Sequence, residues 1–192
     1  MPSAAPLLTL ASVSPRRREL LGQIGVAHRV SAADIDETAH PGEAPADYVV
    51  RMACAKARAV SERGAQLPVL AADTIVVIDV LILGKPRDRA EALAMLGRLS
   101  GRTHQVLTAV ALATAGGVTF RVSLSEVRMR TVSPAECAAY WESGEPRDKA
   151  GGYAIQGRGA LFIEHLSGSF SGVMGLPLYE TGQLLAAAGI RW

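Results

Sequence analysis

The sequence predicts an α/β fold, because apolar runs of strand length alternate along the chain with segments patterned as helices. Three stretches carry that expectation. Pro68 to Asp79 is a near-continuous apolar strand of the kind buried on both faces of a sheet. Ala46 to Arg63 is a helix ending at Gly64, with Val49, Met52, Ala53, Ala57 and Val60 at helical spacing. The chain opens with a strand-turn-helix unit running from Leu7 to Ile24. With 192 residues and 49% hydrophobic content the chain can bury a full core, so one domain over 1–192 is expected, with 1–6 disordered.

In the opening unit, Leu7 to Ala11 is the strand, Ser14 the N-cap and Pro15 the first helical residue, with Leu20, Leu21 and Ile24 as the apolar side. Ala27 to Val30 is a short strand, followed by the acidic patch Asp34-Ile35-Asp36-Glu37 in a loop that runs to Pro45. Leu83-Gly84-Lys85-Pro86 is a turn, and Asp88 caps a helix whose buried face is Ala92, Leu93, Leu96 and Leu99. Strands at His104–Thr114 and Thr119–Arg130 are joined by a Gly-rich hairpin signal. Ser133-Pro134-Ala135-Glu136 is a capping box for a short helix. A long loop, Gly144 to Gly157, is expected to be anchored by Tyr153 and Ile155. A strand at Leu161–Leu166, a tight polar turn at Ser167–Gly172 and a helix at Leu178–Ala188 close the chain.

Composition excludes several classes. A net charge of +2 and 5% aromatic residues leave little with which to coat or stack on a nucleic acid. The longest apolar tract, Leu67 to Leu83, is interrupted by Asp73 and Asp79, so it is not a membrane span. Leu7 to Ala11 is too short for a signal sequence. Cys54 and Cys137 lie far apart in Ala-rich surroundings and form no metal or redox motif, which fits a reduced, cytoplasmic compartment. His28, His40, His104 and His165 are scattered singly and read as structural. There is no P-loop, no GxGxxG and no nucleophile elbow.

What remains is a charge-complementary set. Arg16, Arg17 and Arg18 crowd the first turn of a helix, where the positive dipole end disfavours cations unless an anion sits among them. Free N–H groups, Ser12, Ser14 and forked guanidinium groups there make a polyphosphate cradle; the plain alternative is a solvated basic turn. Lys56 falls on the apolar stripe of its helix, either snorkelling to the edge of the core or reaching into a pocket. Arg51 and Arg58 read as surface residues. Asp73 sits in an apolar strand, where a carboxylate is costly unless paired, protonated or bound to a metal; the plain alternative is that it marks a strand end or a bulge. Most of the acidic patch reads as a solvated turn, with one carboxylate, Glu37, available to a metal. Cations at Arg16, Arg17, Lys56 and Lys85 with a carboxylate at Asp73 suit phosphoryl chemistry.

Six stretches occur in register: Ser12-Val13-Ser14-Pro15-Arg16-Arg17, Ala72-Asp73-Thr74, Gly84-Lys85-Pro86, Leu99 to His104, Asp148 to Gly157, and Gly175 to Thr181. Together they resemble the Maf family of nucleoside triphosphate pyrophosphatases, from Leu8 to about Thr181. The resemblance implies a long, bent mixed sheet with flanking helices and two lobes around a cleft, similar to the inosine triphosphate pyrophosphatases. It implies hydrolysis to the monophosphate and pyrophosphate with a divalent cation, Mg²⁺ or Mn²⁺, and a homodimer. On that footing Ser14, Arg16 and Arg17 contact the triphosphate, and Lys56 and Lys85 neutralise it. Asp73 is either proton acceptor for the attacking water or, with Glu37, a metal-site carboxylate.

Arg16, Thr74 and Gln156 look like the subgroup that acts on dTTP and UTP, an amide at 156 suiting a pyrimidine edge. The implied role is house-cleaning of non-standard pyrimidine nucleotides. The alternatives are the same chemistry on 7-methyl-GTP, or a nucleotide-binding regulator of cell division without turnover. Val80 stands where a hairpin glycine is expected, and Gly152 where alanine is commoner in the family.

Overall fold

A computed structural model describes residues 5–192 of the chain. The expected disorder of residues 1–6 falls on 1–4, which lie outside the described residues, and on Ala5 and Pro6, which are exposed and outside regular structure. The elements are β1 Leu8–Leu10, α1 Pro15–Gln23, β2 His28–Val30, α2 Pro45–Glu62, β3 Val69–Ile78, β4 Leu81–Leu83 and α3 Arg89–Leu99. They continue with β5 Thr103–Thr114, β6 Gly117–Met129, α4 Pro134–Glu142, β7 Ile163–Ser167, α5 Phe170–Met174 and α6 Leu178–Ala187. The fold is mixed α/β. Seven strands form one open sheet in the order β2-β1-β3-β5-β6-β7, with β4 paired to β3. β1 is parallel to both β2 and β3, whereas the β3–β4 and β6–β7 pairs are antiparallel.

The described chain divides into two compact units, and β3, β5 and β6 contribute residues to each. The first comprises the chain through Asp73, Thr108–Ser123 and Gly175–Trp192. Its core takes Leu8 and Leu10 from β1, Leu20 and Leu21 from α1, Val49, Met52, Ala53 and Val60 from α2, and Leu184 and Leu185 from α6, all buried. The second unit comprises Thr74–Leu107 and Leu124–Met174. Its core gathers Val76, Ile78, Met95, Leu96, Leu99, Val127 and Met129 with Tyr140, Tyr153 and Phe162.

Helix starts follow the expected capping chemistry. Ser14 accepts from Arg17 N, Asp88 from Glu91 N, and Ser133 with Glu136 closes a full capping box. Two expectations need correction. The β3–β4 hairpin does not need a glycine at Val80, because Asp79 supplies the left-handed residue at φ 51° while Val80 projects into solvent, 90% exposed. The polar turn at Ser167–Gly172 runs into helix α5, where Ser169 Oγ accepts from Gly172 N at 2.9 Å, as an N-cap hydroxyl does.

The second unit holds one buried imidazole. His104 Nε2 shares a 2.6 Å hydrogen bond with Tyr153 Oη, the rings meet edge-on, and Nδ1 is buried without a partner among the described residues. Burial pushes the His104 pKa down to about 4. The neutral ring therefore belongs to the folded state, while the unfolded chain protonates near the usual value of about 6.5. Its contribution to stability is complete above that value and is lost as pH falls toward 4. Unfolding free energy by urea should fall by roughly 2–3 kcal/mol between pH 6.5 and 4.5. In His104→Gln that slope should flatten, a window chosen to lie above most carboxylate titration.

Candidate active site

The strand-turn-helix that opens the chain does more than present three arginines to water. Ser12, buried at the end of β1, accepts from Ser14 N at 3.2 Å and from Arg17 Nη1 at 3.3 Å. Arg17 Nε donates to the carbonyl of Gly175 at 2.7 Å, so the turn before α6 fixes the guanidinium from the opposite side. Burial lowers the pKa of Arg17; the negative charge of Asp73 opposes that shift, Arg16 adds to it and Glu37 opposes it. Arg17 is thus a pinned cation facing two carboxylates. Arg16 is half-buried beside it, whereas Arg18 points outward and is exposed.

At the centre lies Lys56. Its ammonium donates to Asp73 Oδ1 at 2.7 Å and pairs with Glu37 Oε1 at 2.7 Å. Lys56 and Asp73 are 8% and 7% exposed, whereas the Glu37 side chain is 51% exposed. The aspartate is therefore a mid-strand carboxylate paired inside the sheet, and its Oδ2 takes no hydrogen bond among the described residues. Lys56 is buried rather than snorkelling to the edge of the core, and its ammonium is turned to the two carboxylates.

The loop carrying Glu37, residues 31–44, is stapled to α2 by two side chains that the sequence did not single out as functional. Tyr48 Oη donates to the Glu37 carbonyl at 2.8 Å. Burial, followed by the charges of Asp73 and Glu37, pushes the Tyr48 phenol up to about 12. Arg51 binds Glu43 through Nε and Nη2, each at 2.6 Å, and donates to the Thr38 carbonyl at 3.1 Å. The Arg51 guanidinium holds Glu43 down at about 2. Arg58 is exposed as expected, but Arg51 is half-buried and serves the loop rather than the surface. One signal was present: Tyr48, Met52 and Lys56 recur every fourth residue and share one helix face. Asp34 and Asp36 are exposed, as a solvated turn requires.

The structure brings Ser14, Arg16, Arg17, Glu37, Lys56 and Asp73 together in the first unit. Thr74, Lys85 and Gln156 belong to the second. Thr74 follows Asp73 on β3 and points to the other face of that strand. Lys85 is exposed and has no ion pair among the described residues. Gln156 is half-buried, with a buried Oε1 that no described group satisfies.

Residues 7–188 match the family profile described as Maf-like protein. The chain belongs to the Maf family. The dTTP/UTP pyrophosphatase of Bordetella parapertussis is 54% identical over 194 residues, covering 96% of this chain and 94% of the relative. That of Saccharophagus degradans is 53% identical over 184 residues, covering 94% and 88%, and that of Nitrosomonas europaea 52% over 200 residues, covering 97% of each.

The donor set of this Maf chain suits a hard divalent cation. Asp73 and Glu37 approach the same nitrogen, so both lie within reach of one ion. Among the described residues no cluster of three His, Cys, Asp or Glu is poised around a metal. Mg²⁺ commonly takes one or two carboxylates and completes its shell with water and substrate phosphate. Two carboxylates beside a cationic cradle fit that pattern.

Breaking the Maf charge cluster on one side leaves a carboxylate buried with reduced compensation. Lys56→Met should lower the unfolding free energy by about 3 kcal/mol, because Asp73 loses its partner inside the sheet. Lys56→Met with Asp73→Asn should recover about half of that loss in urea denaturation, since the stranded charge is gone.

Proposed function

We propose that this protein hydrolyses dTTP and UTP to the corresponding monophosphate and pyrophosphate. The observation that carries the reading is the Lys56 ammonium shared by Asp73 and Glu37 beside the pinned Arg17, a cluster able to receive a polyanion and activate water. Relatives named dTTP/UTP pyrophosphatase, at 52–54% identity over nearly the whole chain, support it.

In this reading Arg16, Arg17 and the Ser14 hydroxyl bind the triphosphate, and Lys56 and Lys85 neutralise its non-bridging oxygens. Water attacks the α-phosphorus, Asp73 Oδ2 accepts its proton, and the bond from the α-phosphorus to the bridging oxygen breaks as pyrophosphate leaves. Lys56 holds Asp73 through Oδ1, which orients the carboxylate while Oδ2 serves as base. Asp73 and Glu37 would hold a divalent cation, Mg²⁺ or Mn²⁺, which would supply further neutralisation of the developing charge. Thr74 and Gln156, with Arg16, select the base. Thymine and uracil share an N3–H, a donor that an unsatisfied Gln156 Oε1 is suited to accept. The same reading carries a cytoplasmic enzyme that acts as a homodimer; no helix among the described residues is long and apolar enough to cross a membrane.

Pyrophosphate release from dTTP, UTP, CTP, GTP and 7-methyl-GTP with Mg²⁺ tests the proposal. dTTP and UTP should be turned over selectively, and Asp73→Asn should lower kcat/KM by about a hundredfold or more. Gln156→Glu should reduce the preference for UTP over CTP by about tenfold, since a carboxylate repels the acceptor edge of uracil. Turnover confined to 7-methyl-GTP would reject the base assignment, and unimpaired Asp73→Asn would reject the catalytic one.

A further inference from the structure

We infer that Glu145 and Tyr140 are positioning residues for base selection: they form a clamp that holds the Tyr153–Gly159 segment, and with it Gln156, in register for the base. The inference rests on the assignment of Gln156 to base reading.

Glu145 lies eight residues before the segment's start, at the head of a 3-10 turn, Glu145–Asp148. Its Oε1 accepts from Tyr140 Oη at 2.7 Å and from Gly159 N at 3.0 Å, and its Oε2 accepts from Arg158 N at 2.9 Å. Tyr140 Oη in turn accepts from Ala154 N at 3.1 Å. One carboxylate and one phenol therefore hold backbone N–H groups on both sides of Gln156, at 154 before it and at 158 and 159 after it. Tyr140 is itself fixed, 3% exposed and edge-on to Phe162 at 5.1 Å between centroids.

The side chain of Gln156 does not fix its own position from the Oε1 end, since that atom is buried without a partner. Its placement depends on the backbone, which buried Tyr153, Ala154 and Ile155 anchor on the near side and the clamp ties on both sides. Two glycines show how closely the parts fit. At Gly157, whose φ is +74°, an added Cβ would stand 2.5 Å from Glu145 Oε2; at Gly159 it would stand 2.3 Å from the Ala154 carbonyl and 2.6 Å from Tyr140 Oη. Small residues there let the chain lie directly on the carboxylate and phenol. A single carboxylate taking three donors in partial burial is a directional, charge-assisted restraint, which suits the task of holding a selective group.

The test compares wild type with Glu145→Gln, Tyr140→Phe and Gln156→Ala in pyrophosphate release from UTP and CTP, with amide hydrogen exchange over residues 153–159. Glu145→Gln turns one acceptor into a donor facing a backbone N–H, and Tyr140→Phe removes the hydroxyl while leaving Glu145 in place. Both should raise exchange in the segment and reduce the UTP-over-CTP ratio of kcat/KM by about fivefold or more, through KM for UTP more than through kcat. A merely structural role would lower both substrates together and leave the ratio alone. If Gln156→Ala loses the preference but Glu145→Gln and Tyr140→Phe keep it, the clamp is overturned while the base assignment stands. If Gln156→Ala keeps the preference, the base assignment falls and the inference falls with it. Should Glu145→Gln melt below the assay temperature, Tyr140→Phe alone decides the matter.

Discussion

A single ammonium shared between two carboxylates is the interaction on which the proposed site depends. Lys56 sits on a helix face otherwise made of Val49, Met52, Ala53 and Val60, and Asp73 interrupts a strand that, Thr74 apart, is otherwise Val, Leu, Ala and Ile. Either charge alone in such surroundings would carry a desolvation cost of several kcal/mol. Paired at 2.7 Å, each makes the other tolerable, and Glu37 adds a second carboxylate from an exposed loop. The arrangement leaves the cluster with both signs of charge, in a place where neither side chain can relax far. The proposed reaction of a polyanion with water calls for such a place: cations already held apart from bulk solvent, and a carboxylate already oriented.

The surroundings serve the same end by holding flexible parts to rigid ones. The serine-arginine turn is tied to β1 through Ser12 and to the turn before α6 through the Gly175 carbonyl. The Glu37 loop has no secondary structure of its own, yet Tyr48 and Arg51 fasten it to α2, the helix that also carries Lys56. In the second unit the Glu145 carboxylate does the equivalent work for the segment around Gln156. In each case a few hydrogen bonds between a side chain and backbone distant in sequence fix the segment, joined around Gln156 by the buried Tyr153, Ala154 and Ile155.

Much of this was legible in the residues. Lys56 and Asp73 stand out because each breaks an apolar pattern, and a broken pattern is where burial and charge conflict. The helices at α2, α3 and α4 announce themselves through period and capping, and the apolar strand β3 through its length and composition. The hairpin at Asp79 and Val80 was less legible, because the left-handed residue is an aspartate rather than a glycine. Strand β7 starts at Ile163 rather than Leu161 because the preceding residues, Gly157–Phe162, wind into a 3-10 turn governed by Glu145 rather than by their own apolar content. Arg51, Glu145 and the Gly175 carbonyl were invisible for a shared reason. Their roles lie in hydrogen bonds to distant backbone, which leave no periodicity and no spacing in the sequence.

In the proposed reaction Lys56, Asp73 and Glu37 act as one unit. A double-mutant cycle on kcat/KM for dTTP, built from Lys56→Met, Glu37→Gln and the double variant, tests it most directly. If the three groups act together, the double variant should be no worse than the poorer single variant by more than about threefold. Losses that multiply, the double variant falling by the product of the two single effects, would show that Lys56 and Glu37 act independently and would contradict the account.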